Sequence, residues 1–188
     1  MDTGDLQLEQ HKALKAKVCL VGEKAVGKTS LIRRFVLNTF DDRYITTIGT
    51  KVSKRELRVE NVKKDTWMDM TIWDIMGERG FRELLKEAYF FGAQGVLAVC
   101  DITRQKTLAE LDDWVDGVFR VVGHVPVLIA VNKTDLGAER QFSEKEVAQV
   151  AQAFNAQFMF TSAKIGENVE SCFQRLGTQI LDSQTLSS

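Results

Sequence analysis

The chain has 188 residues, of which 44% are hydrophobic and 27% charged, and its formal net charge is −1. This length suffices for one domain with its own hydrophobic core, and the near-neutral charge excludes a general attraction to nucleic acid or anionic lipid. No apolar run approaches the roughly 18 residues needed to span a bilayer. Cys19, Cys100 and Cys172 show no CxxC spacing. We therefore expect reduced thiols in the core and a cytoplasmic location.

Both termini are predicted to lie outside the folded domain. Residues 1–14 are polar with scattered leucines, which indicates either a frayed tail or a short docking helix. Asp2 stands where myristoylation requires glycine, and the last eight residues contain no cysteine to prenylate. We expect a domain over 15–182, a tail over 183–188, no intrinsic membrane anchor, and membrane recruitment only through a partner, if at all.

Apolar runs alternate with amphipathic stretches along the chain. The first run ends in glycine and is followed by apolar residues at helical spacing, whereas the second and third runs are joined by a polar turn. The predicted strands are 18–21, 48–60, 66–73, 95–100, 126–131 and 158–161, and the predicted helices lie after Lys28 and near 82–91, 105–122, 143–154 and 167–181.

This alternation indicates an α/β fold with a six-stranded, mainly parallel sheet and helices on both faces. The early hairpin requires one antiparallel strand, which we place at an edge. Phe90, Phe91 and Trp114 lie on amphipathic stretches and are predicted to be core residues. In sheets of this kind ligands bind beyond the carboxyl ends of the strands. The polar motifs described next each follow a predicted strand.

Residues 22–29 match the pattern G-x-x-x-x-G-K-[ST]. Successive backbone N–H groups in such a loop form a nest for phosphate, and the following helix adds the positive end of its dipole. Lys28 is expected to reach the β- and γ-phosphates, and the Thr29 hydroxyl to ligate Mg²⁺. A chance glycine-rich turn is the alternative, which the flanking strand and helix disfavour. The pattern predicts a nucleoside triphosphate without identifying its base.

Residues 132–135, Asn-Lys-Thr-Asp, follow the predicted strand at 126–131. The Asp135 carboxylate can accept hydrogen bonds from the ring N–H and the exocyclic amine of guanine, and adenine offers no such donor pair. A carboxylate left unpaired costs on the order of several kcal/mol, which gives strong discrimination. Taken alone, these residues would suit an ordinary turn equally well. Together with the phosphate loop they predict a guanine-nucleotide site.

Further motifs give the chain a resemblance to a known family. Asp74–Gly77 resembles a DxxG segment, and Thr161–Lys164 resembles a base-contacting SAK segment. Phe40, Tyr44 and Thr47–Gly49 resemble a first switch, which would extend over residues 40–49. With Asp101–Thr103 after a strand, the order of motifs over 16–181 is similar to that of Ras-superfamily small GTPases, Rab and Ras above all. The absence of lipidation signals suits a prokaryotic or archaeal member. The resemblance implies a P-loop NTPase fold of the small G-domain type.

The resemblance also implies roles for individual residues. Thr47 would complete the Mg²⁺ shell and sense the γ-phosphate, Asp74 would bind Mg²⁺ through water, and the Gly77 N–H would bond to the γ-phosphate. The guanine ring would pack against Phe40 and Lys133, with its carbonyl at the Ala163 N–H. The predicted GTP-binding residues are Glu23, Lys24, Ala25, Val26, Gly27, Lys28, Thr29, Ser30, Phe40, Tyr44, Thr47, Gly77, Asn132, Lys133, Asp135, Ser162, Ala163 and Lys164, and the predicted metal-binding residues are Thr29, Thr47 and Asp74.

We expect a molecular switch that binds GTP or GDP with Mg²⁺ and hydrolyses GTP, because loops held through the γ-phosphate are released on hydrolysis. Effectors, exchange factors and GTPase-activating proteins would bind its two switch regions, and a monomer is the default. Two alternatives stay open, a GTP-binding scaffold with negligible hydrolysis and an ATP-dependent P-loop kinase or motor. The predicted catalytic residues are Lys24, Lys28, Thr47, Gly77 and Glu78.

Two residues depart from the family pattern. Lys24 occupies a position where the family has a small residue, and Glu78 stands where it has the glutamine that orients the attacking water. One hypothesis pairs these opposite charges across the γ-phosphate, with Lys24 replacing an arginine finger. The alternative leaves both side chains in solvent and hydrolysis slow. The basic residues Arg33, Arg34 and Arg43 are interpreted as solvated surface, or otherwise as a surface for an acidic partner.

Overall fold

The computed structural model describes residues 13–43, 46–60, 65–77, 80 and 87–186. The strands are β1 (Leu14–Val21), β2 (Thr50–Glu60), β3 (Asp65–Ile75), β4 (Gly95–Asp101), β5 (Val127–Asn132) and β6 (Gln157–Phe160). The helices are α1 (Lys28–Leu37), α2 (Gln105–Ala109), α3 (Leu111–Val122), α4 (Glu144–Ala153) and α5 (Val169–Leu186), with a 3₁₀ helix at Thr134–Glu139. Residues 87–90 are also helical.

The six strands form one sheet in the order β2-β3-β1-β4-β5-β6. Strand β2 pairs antiparallel with β3 from Thr50↔Ile75 to Glu60↔Asp65, and every other pairing is parallel. The predicted six-stranded, mainly parallel sheet with one antiparallel edge strand is therefore confirmed. Because β1, β3, β4, β5 and β6 run in one direction, the loops that follow them meet at one edge of the sheet.

Helices cover both faces of this sheet, and alternate side chains of β1 point into two separate cores. Val18 and Leu20 pack in the core that contains residues of α1 and α5. Cys19 and Val21 pack in the other core, which contains residues of α3 and α4. The central strand is consequently buried on both sides, which explains why its sequence is an apolar run without alternation. All three cysteines are buried and free, as expected.

Two predictions about the helices are wrong. The single helix predicted over 105–122 is divided at Glu110, whose backbone (φ −78, ψ −6) ends α2 and precedes α3. Leu108 and Leu111, on either side of this residue, are both buried, so the core continues across the division. Phe90 and Trp114 are fully buried as predicted, but Phe91 is 78% exposed. The helical segment ends at Phe90, so the next side chain no longer follows the buried face.

Some predictions fall on residues that the structure does not describe. These are residues 1–12 of the N-terminal extension, the turn at 61–64, the first half (82–86) of the helix predicted near 82–91, and the last two residues of the tail. Within the described ranges, no helix combines the length and the apolar character needed to cross a membrane.

Candidate guanine-nucleotide site

A cavity of about 450 Å³ lies at the edge of the sheet where the parallel strands end. Its volume is in the range of small-molecule sites. We call its two parts the phosphate side (residues 22–29 with Thr47 and Asp74–Gly77) and the base side (residues 132–135 and 161–164). The predicted site residues that line the cavity are Lys24, Ala25, Gly27, Lys28, Thr29, Ser30, Phe40, Thr47, Gly77, Asn132, Lys133, Asp135, Ala163 and Lys164.

The remaining predicted residues either do not line the cavity or lie outside the described residues. Glu23, Val26, Asp74 and Ser162 lie beside the cavity without lining it, and Val26 and Ser162 are fully buried. Tyr44 and Glu78 lie outside the described residues. The cavity wall also contains residues that sequence reasoning did not assign to the site, namely Arg33, Asp41, Asp42, Arg43, Thr46, Met76 and Leu136.

The backbone of the phosphate loop requires glycine at its start and end. Gly22 has φ 132, and a Cβ there would lie 2.2 Å from the Val99 carbonyl oxygen. Gly27 has φ 102, and a Cβ there would lie 2.2 Å from Nδ2 of Asn132. Side chains at these positions would separate the loop from β4 and from the base side. The two glycines of the motif therefore allow close contact between three segments of the site.

Helix α1 begins at Lys28, and its N-terminus has the features of an anion site. Gly27 precedes it with no side-chain cap, and its first turn contains no acidic residue. The N–H groups of the first turn are thus not capped by a side chain, and the positive end of the helix dipole points to the cavity. This arrangement suits a phosphate group.

The Lys28 ammonium is nearly buried beneath the same loop. Its Nζ donates to the carbonyl oxygens of Gly22 at 2.6 Å and Glu23 at 2.9 Å. Burial lowers the pKa of Lys28 to about 8, although the charges of Asp74 and Glu23 act in the opposite direction. A phosphate in the cavity would favour the charged form. The ammonium is therefore placed where an anionic ligand would stabilise it.

Three oxygen-bearing side chains converge next to Lys28. The Thr29 hydroxyl donates to Oδ2 of Asp74 at 2.5 Å and lies 3.0 Å from the Thr47 hydroxyl oxygen. Oδ1 of Asp74 is buried and has no hydrogen-bond partner among the described residues. Burial raises the pKa of Asp74, with the Thr29 hydrogen bond opposing it. A buried carboxylate oxygen without a partner, beside two hydroxyls, fits the oxygen ligands that Mg²⁺ prefers.

On the base side, the Asn132 side chain links three segments. Its Nδ2 donates to the Val26 carbonyl oxygen at 2.9 Å. Its Oδ1 accepts from the Thr161 hydroxyl at 3.3 Å and from the Ala163 N–H at 3.2 Å. The Ala163 N–H, which the resemblance assigns to the guanine carbonyl, thus has a partner within the protein. Asn132 fixes the position of the phosphate loop relative to both base-side segments.

The charged side chains of the Asn-Lys-Thr-Asp segment, Lys133 and Asp135, are also held by the protein. Oδ1 of Asp135 accepts from the Ser162 hydroxyl at 2.5 Å. Nζ of Lys133 lies 2.6 Å from Oδ2 of Asp101, which is buried. Burial acts to raise the pKa of Asp101, but hydrogen bonds from Lys133 and Thr103 outweigh it, so that this pKa is lowered. The base side therefore consists of oriented side chains.

Two arginines support the site, and sequence reasoning did not assign them to it. Arg104 donates to Oδ2 of Asp101 at 3.0 Å and to the Lys24 carbonyl oxygen at 3.0 Å. Arg34 donates to the carbonyl oxygens of Ala163 at 2.9 Å and Lys164 at 2.6 Å. No local sequence signal identifies these contacts, because the Arg34 bonds join residues about 130 positions apart.

The interpretation of the basic residues as solvated surface is incomplete. Arg33 lies 3.8 Å from Asp41 across the cavity wall, and Arg43 bonds to the same carboxylate at 3.0 Å. Both arginines line the cavity. Both arginines thus have a partner within the first switch, and the single negative charge of Asp41 offsets part of their combined positive charge.

Comparison with known proteins agrees with this geometry. The Ras family model matches residues 17–182. The chain is 35% identical over 175 residues to Ras-related protein RABC1 of Arabidopsis thaliana, covering 92% of this chain and 80% of that protein. It is 33% identical over 166 residues to Ras-related protein Rab-13 of Canis lupus familiaris, covering 88% of this chain and 79% of that protein.

Proposed function

The chain belongs to the Ras family of small GTPases, and from this premise we propose that it is a switch that binds GTP or GDP with Mg²⁺ and hydrolyses GTP slowly without a helper protein. One observation carries the proposal. A phosphate loop and Asp135 line a single cavity, and two hydroxyls in its wall contact the buried carboxylate of Asp74 beside it. These groups suit the phosphates, the cation and the guanine base of one ligand.

The phosphate side would bind the triphosphate through the loop N–H groups, the N-terminus of α1 and the Lys28 ammonium. Mg²⁺ would be held by Thr29 and Thr47, with Asp74 acting through water, and would neutralise charge on the β- and γ-phosphates. The Gly77 N–H and Thr47 would contact the γ-phosphate, so both switch segments would depend on it. Loss of that phosphate would release them.

Slow hydrolysis is proposed because of residues at two positions. Lys24 is exposed and lines the cavity, and within the described residues it makes no ion pair. A Cβ at Gly77 would lie 2.5 Å from the Lys24 backbone nitrogen, so this loop packs directly against the segment that leads to Glu78. Glutamate cannot donate a hydrogen bond as the usual glutamine does, and a lysine at this position occupies space that an arginine finger needs.

A GTP-binding scaffold with negligible turnover is the second candidate, and the same two residues favour it. Single-turnover hydrolysis of GTP separates the two functions. We expect phosphate release on the order of 10⁻⁴ s⁻¹, as for an unassisted small GTPase. Tight GTP binding with no release above buffer would instead support the scaffold, and equal hydrolysis of ATP would support an ATP-dependent enzyme.

The same assay tests whether Lys24 and Glu78 act together. If they pair across the γ-phosphate, the effects of Lys24→Ala and Glu78→Gln on the hydrolysis rate will be non-additive in the double variant. Additive effects would show that each side chain acts independently.

We also propose that partner proteins recognise the switch regions and the strands between them. Ile48 in the first switch is 84% exposed, and Val52 and Trp67 on the β2–β3 hairpin are also exposed. Exposed apolar side chains of this kind suit a protein interface. Pull-down with GTP-loaded and GDP-loaded protein tests this, and an Ile48→Asp variant is expected to lose the GTP-dependent partners.

A further inference from the structure

We propose that Arg34 is a positioning residue for guanine recognition, because it fixes the SAK segment relative to the phosphate loop. The inference rests on the proposed function, since it concerns the same nucleotide site. Arg34 lies on α1, which begins at Lys28 of the phosphate loop. Its guanidinium reaches across to the backbone of Ala163 and Lys164. One side chain thus joins the element that would hold the phosphates to the segment that would contact the base.

The geometry of these bonds suits arginine. Nε donates to the Ala163 carbonyl oxygen at 2.9 Å, and Nη2 donates to the Lys164 carbonyl oxygen at 2.6 Å. The planar guanidinium presents its donors in a fixed fork, so two successive carbonyl groups are held in one orientation. A lysine ammonium is a point charge on a flexible stem and lacks this fork. The contact therefore constrains the rotation of the peptide between residues 163 and 164.

The segment that Arg34 holds is short, and its other contacts lead to the base-recognition residues. The Ala163 N–H lies 3.2 Å from Oδ1 of Asn132, and Ser162 holds Asp135. Next in the chain, Gly166 has φ 82, and a Cβ there would lie 3.8 Å from Cδ of Arg34. The arginine stem therefore packs under the turn while its head group binds the carbonyls. Movement of this turn would displace the Ala163 N–H, which the resemblance assigns as the donor to the guanine carbonyl.

Arg55 provides a matched control within the same protein. It also binds α1, through the Phe35 carbonyl oxygen, and it pairs with Glu170 on α5 at 2.7 Å. Its guanidinium lies 4.1 Å from the centre of the Phe35 ring. These contacts stabilise the junction of α1, β2 and α5, and none of their residues lines the nucleotide cavity. Replacing Arg55 thus removes an arginine contact of similar type without touching the SAK segment.

The experiment measures GDP release from the full chain with Mg²⁺, using a fluorescent GDP, for wild type, Arg34→Ala, Arg34→Lys and Arg55→Ala. We expect Arg34→Ala to release GDP about tenfold faster, because two charge-assisted hydrogen bonds are lost. Arg34→Lys is expected to recover part of this loss, leaving release about threefold faster than wild type. Arg55→Ala is expected to lower the unfolding temperature and to leave GDP release within about twofold of wild type.

A second readout separates base recognition from general loosening. We expect the ratio of ADP to GDP dissociation constants to fall about tenfold in Arg34→Ala and to stay unchanged in Arg55→Ala, because ADP makes only the phosphate-side contacts. Unchanged release in Arg34→Ala, or equal changes in both alanine variants, would overturn the inference. If Arg34→Ala does not fold, wild-type release and selectivity in Arg34→Lys would overturn it. A wild-type protein with no preference for GDP over ADP would instead refute the proposed function.

Discussion

On the base side, Asn132 and Asp135 have hydrogen-bond partners within the protein, whereas on the phosphate side Oδ1 of Asp74 has none among the described residues. The Lys28 ammonium does have two backbone partners on this side, yet burial still lowers its pKa to about 8. The base side is preorganised, because its binding groups are already oriented by the protein. The phosphate side contains a buried acid, Asp74, and a buried base, Lys28. Burial disfavours the charged form of each until a ligand group of opposite charge is present.

This difference indicates a division of labour within one site. Preorganised groups give selectivity, because a wrong base leaves their polar atoms without a hydrogen bond from the ligand and no other contact compensates for that loss. Groups that are costly without a ligand couple binding to conformation, because the free energy released by phosphate and cation can hold the first switch in place. The predictions that follow test each half separately.

The largest expected effect is on the base side. Asp135→Asn should weaken GDP binding by about three orders of magnitude, because the amide cannot accept from both guanine donors. The same variant should bind xanthine nucleotides, whose carbonyl can accept from the new amide. Competition binding with GDP and XDP provides both the measurement and the control for folding. Unchanged GDP affinity would mean that Asp135 does not contact the base.

On the phosphate side, the metal dependence should change next. Asp74→Asn should raise the Mg²⁺ concentration required for slow GDP release by about 10- to 100-fold, because the amide loses the charge that favours the cation. Asp69→Asn, on the same strand with an exposed side chain, is the matched control. Titration of GDP release with Mg²⁺ measures the shift. Equal curves for both variants would contradict a metal site at Asp74.

The buried ammonium should cost stability when no nucleotide is bound. Lys28→Met should raise the free energy of unfolding of the nucleotide-free protein at pH 7 by roughly 3 kcal/mol. The same variant should bind GTP more weakly. Because the pKa of Lys28 is about 8 in the folded state and 10.5 ordinarily, the folded wild type binds fewer protons between these values. The free energy of unfolding of wild type should therefore approach that of Lys28→Met as pH rises from 8 to 10.5.

Urea unfolding at several pH values measures this difference. Burial also raises the pKa of Cys19 and Cys172 to about 12, so their contribution makes both proteins less stable above pH 9. That contribution is common to wild type and variant and cancels in the comparison. If the difference in unfolding free energy between wild type and Lys28→Met did not change with pH, Lys28 would act through packing rather than charge.

The smallest expected effect comes from the support of Asp135. Ser162→Ala should weaken GDP binding about fivefold, because it removes the hydroxyl that orients the carboxylate while leaving the carboxylate itself. Ser143→Ala is the control, since Ser143 caps α4 and its loss should cost about 1 kcal/mol of stability alone. Calorimetry with GDP compares them. A preorganised base side requires Ser162→Ala to have the larger effect on affinity.

Much of the fold could be predicted because its signals are local. Apolar runs ending in polar motifs located the strands, and the motif at 22–29 marked the loop between β1 and α1. The division at Glu110 could not be predicted because no glycine or proline lies beside it. The exposure of Phe91 could not be predicted because it is identical in type to Phe90, which is buried. Tertiary packing decides such boundaries, and it is not encoded in a short window.

The candidate site shows the same limit. Residues in contiguous motifs were assigned from the sequence, and most of those described line the cavity. Arg34 and Arg104 were missed because each bonds to backbone carbonyl oxygens far along the chain, which leave no pattern in side-chain type. The predicted roles of Lys24 and Glu78 stay predictions.

Native mass spectrometry tests the central claim most directly. The protein is stripped of nucleotide and incubated with equal concentrations of GTP, ATP and Mg²⁺. We predict one guanine nucleotide and one Mg²⁺ per chain, because the base side selects guanine and the phosphate side requires the cation. Bound adenine nucleotide, or guanine nucleotide without a metal ion, would contradict this account of the two halves of the site.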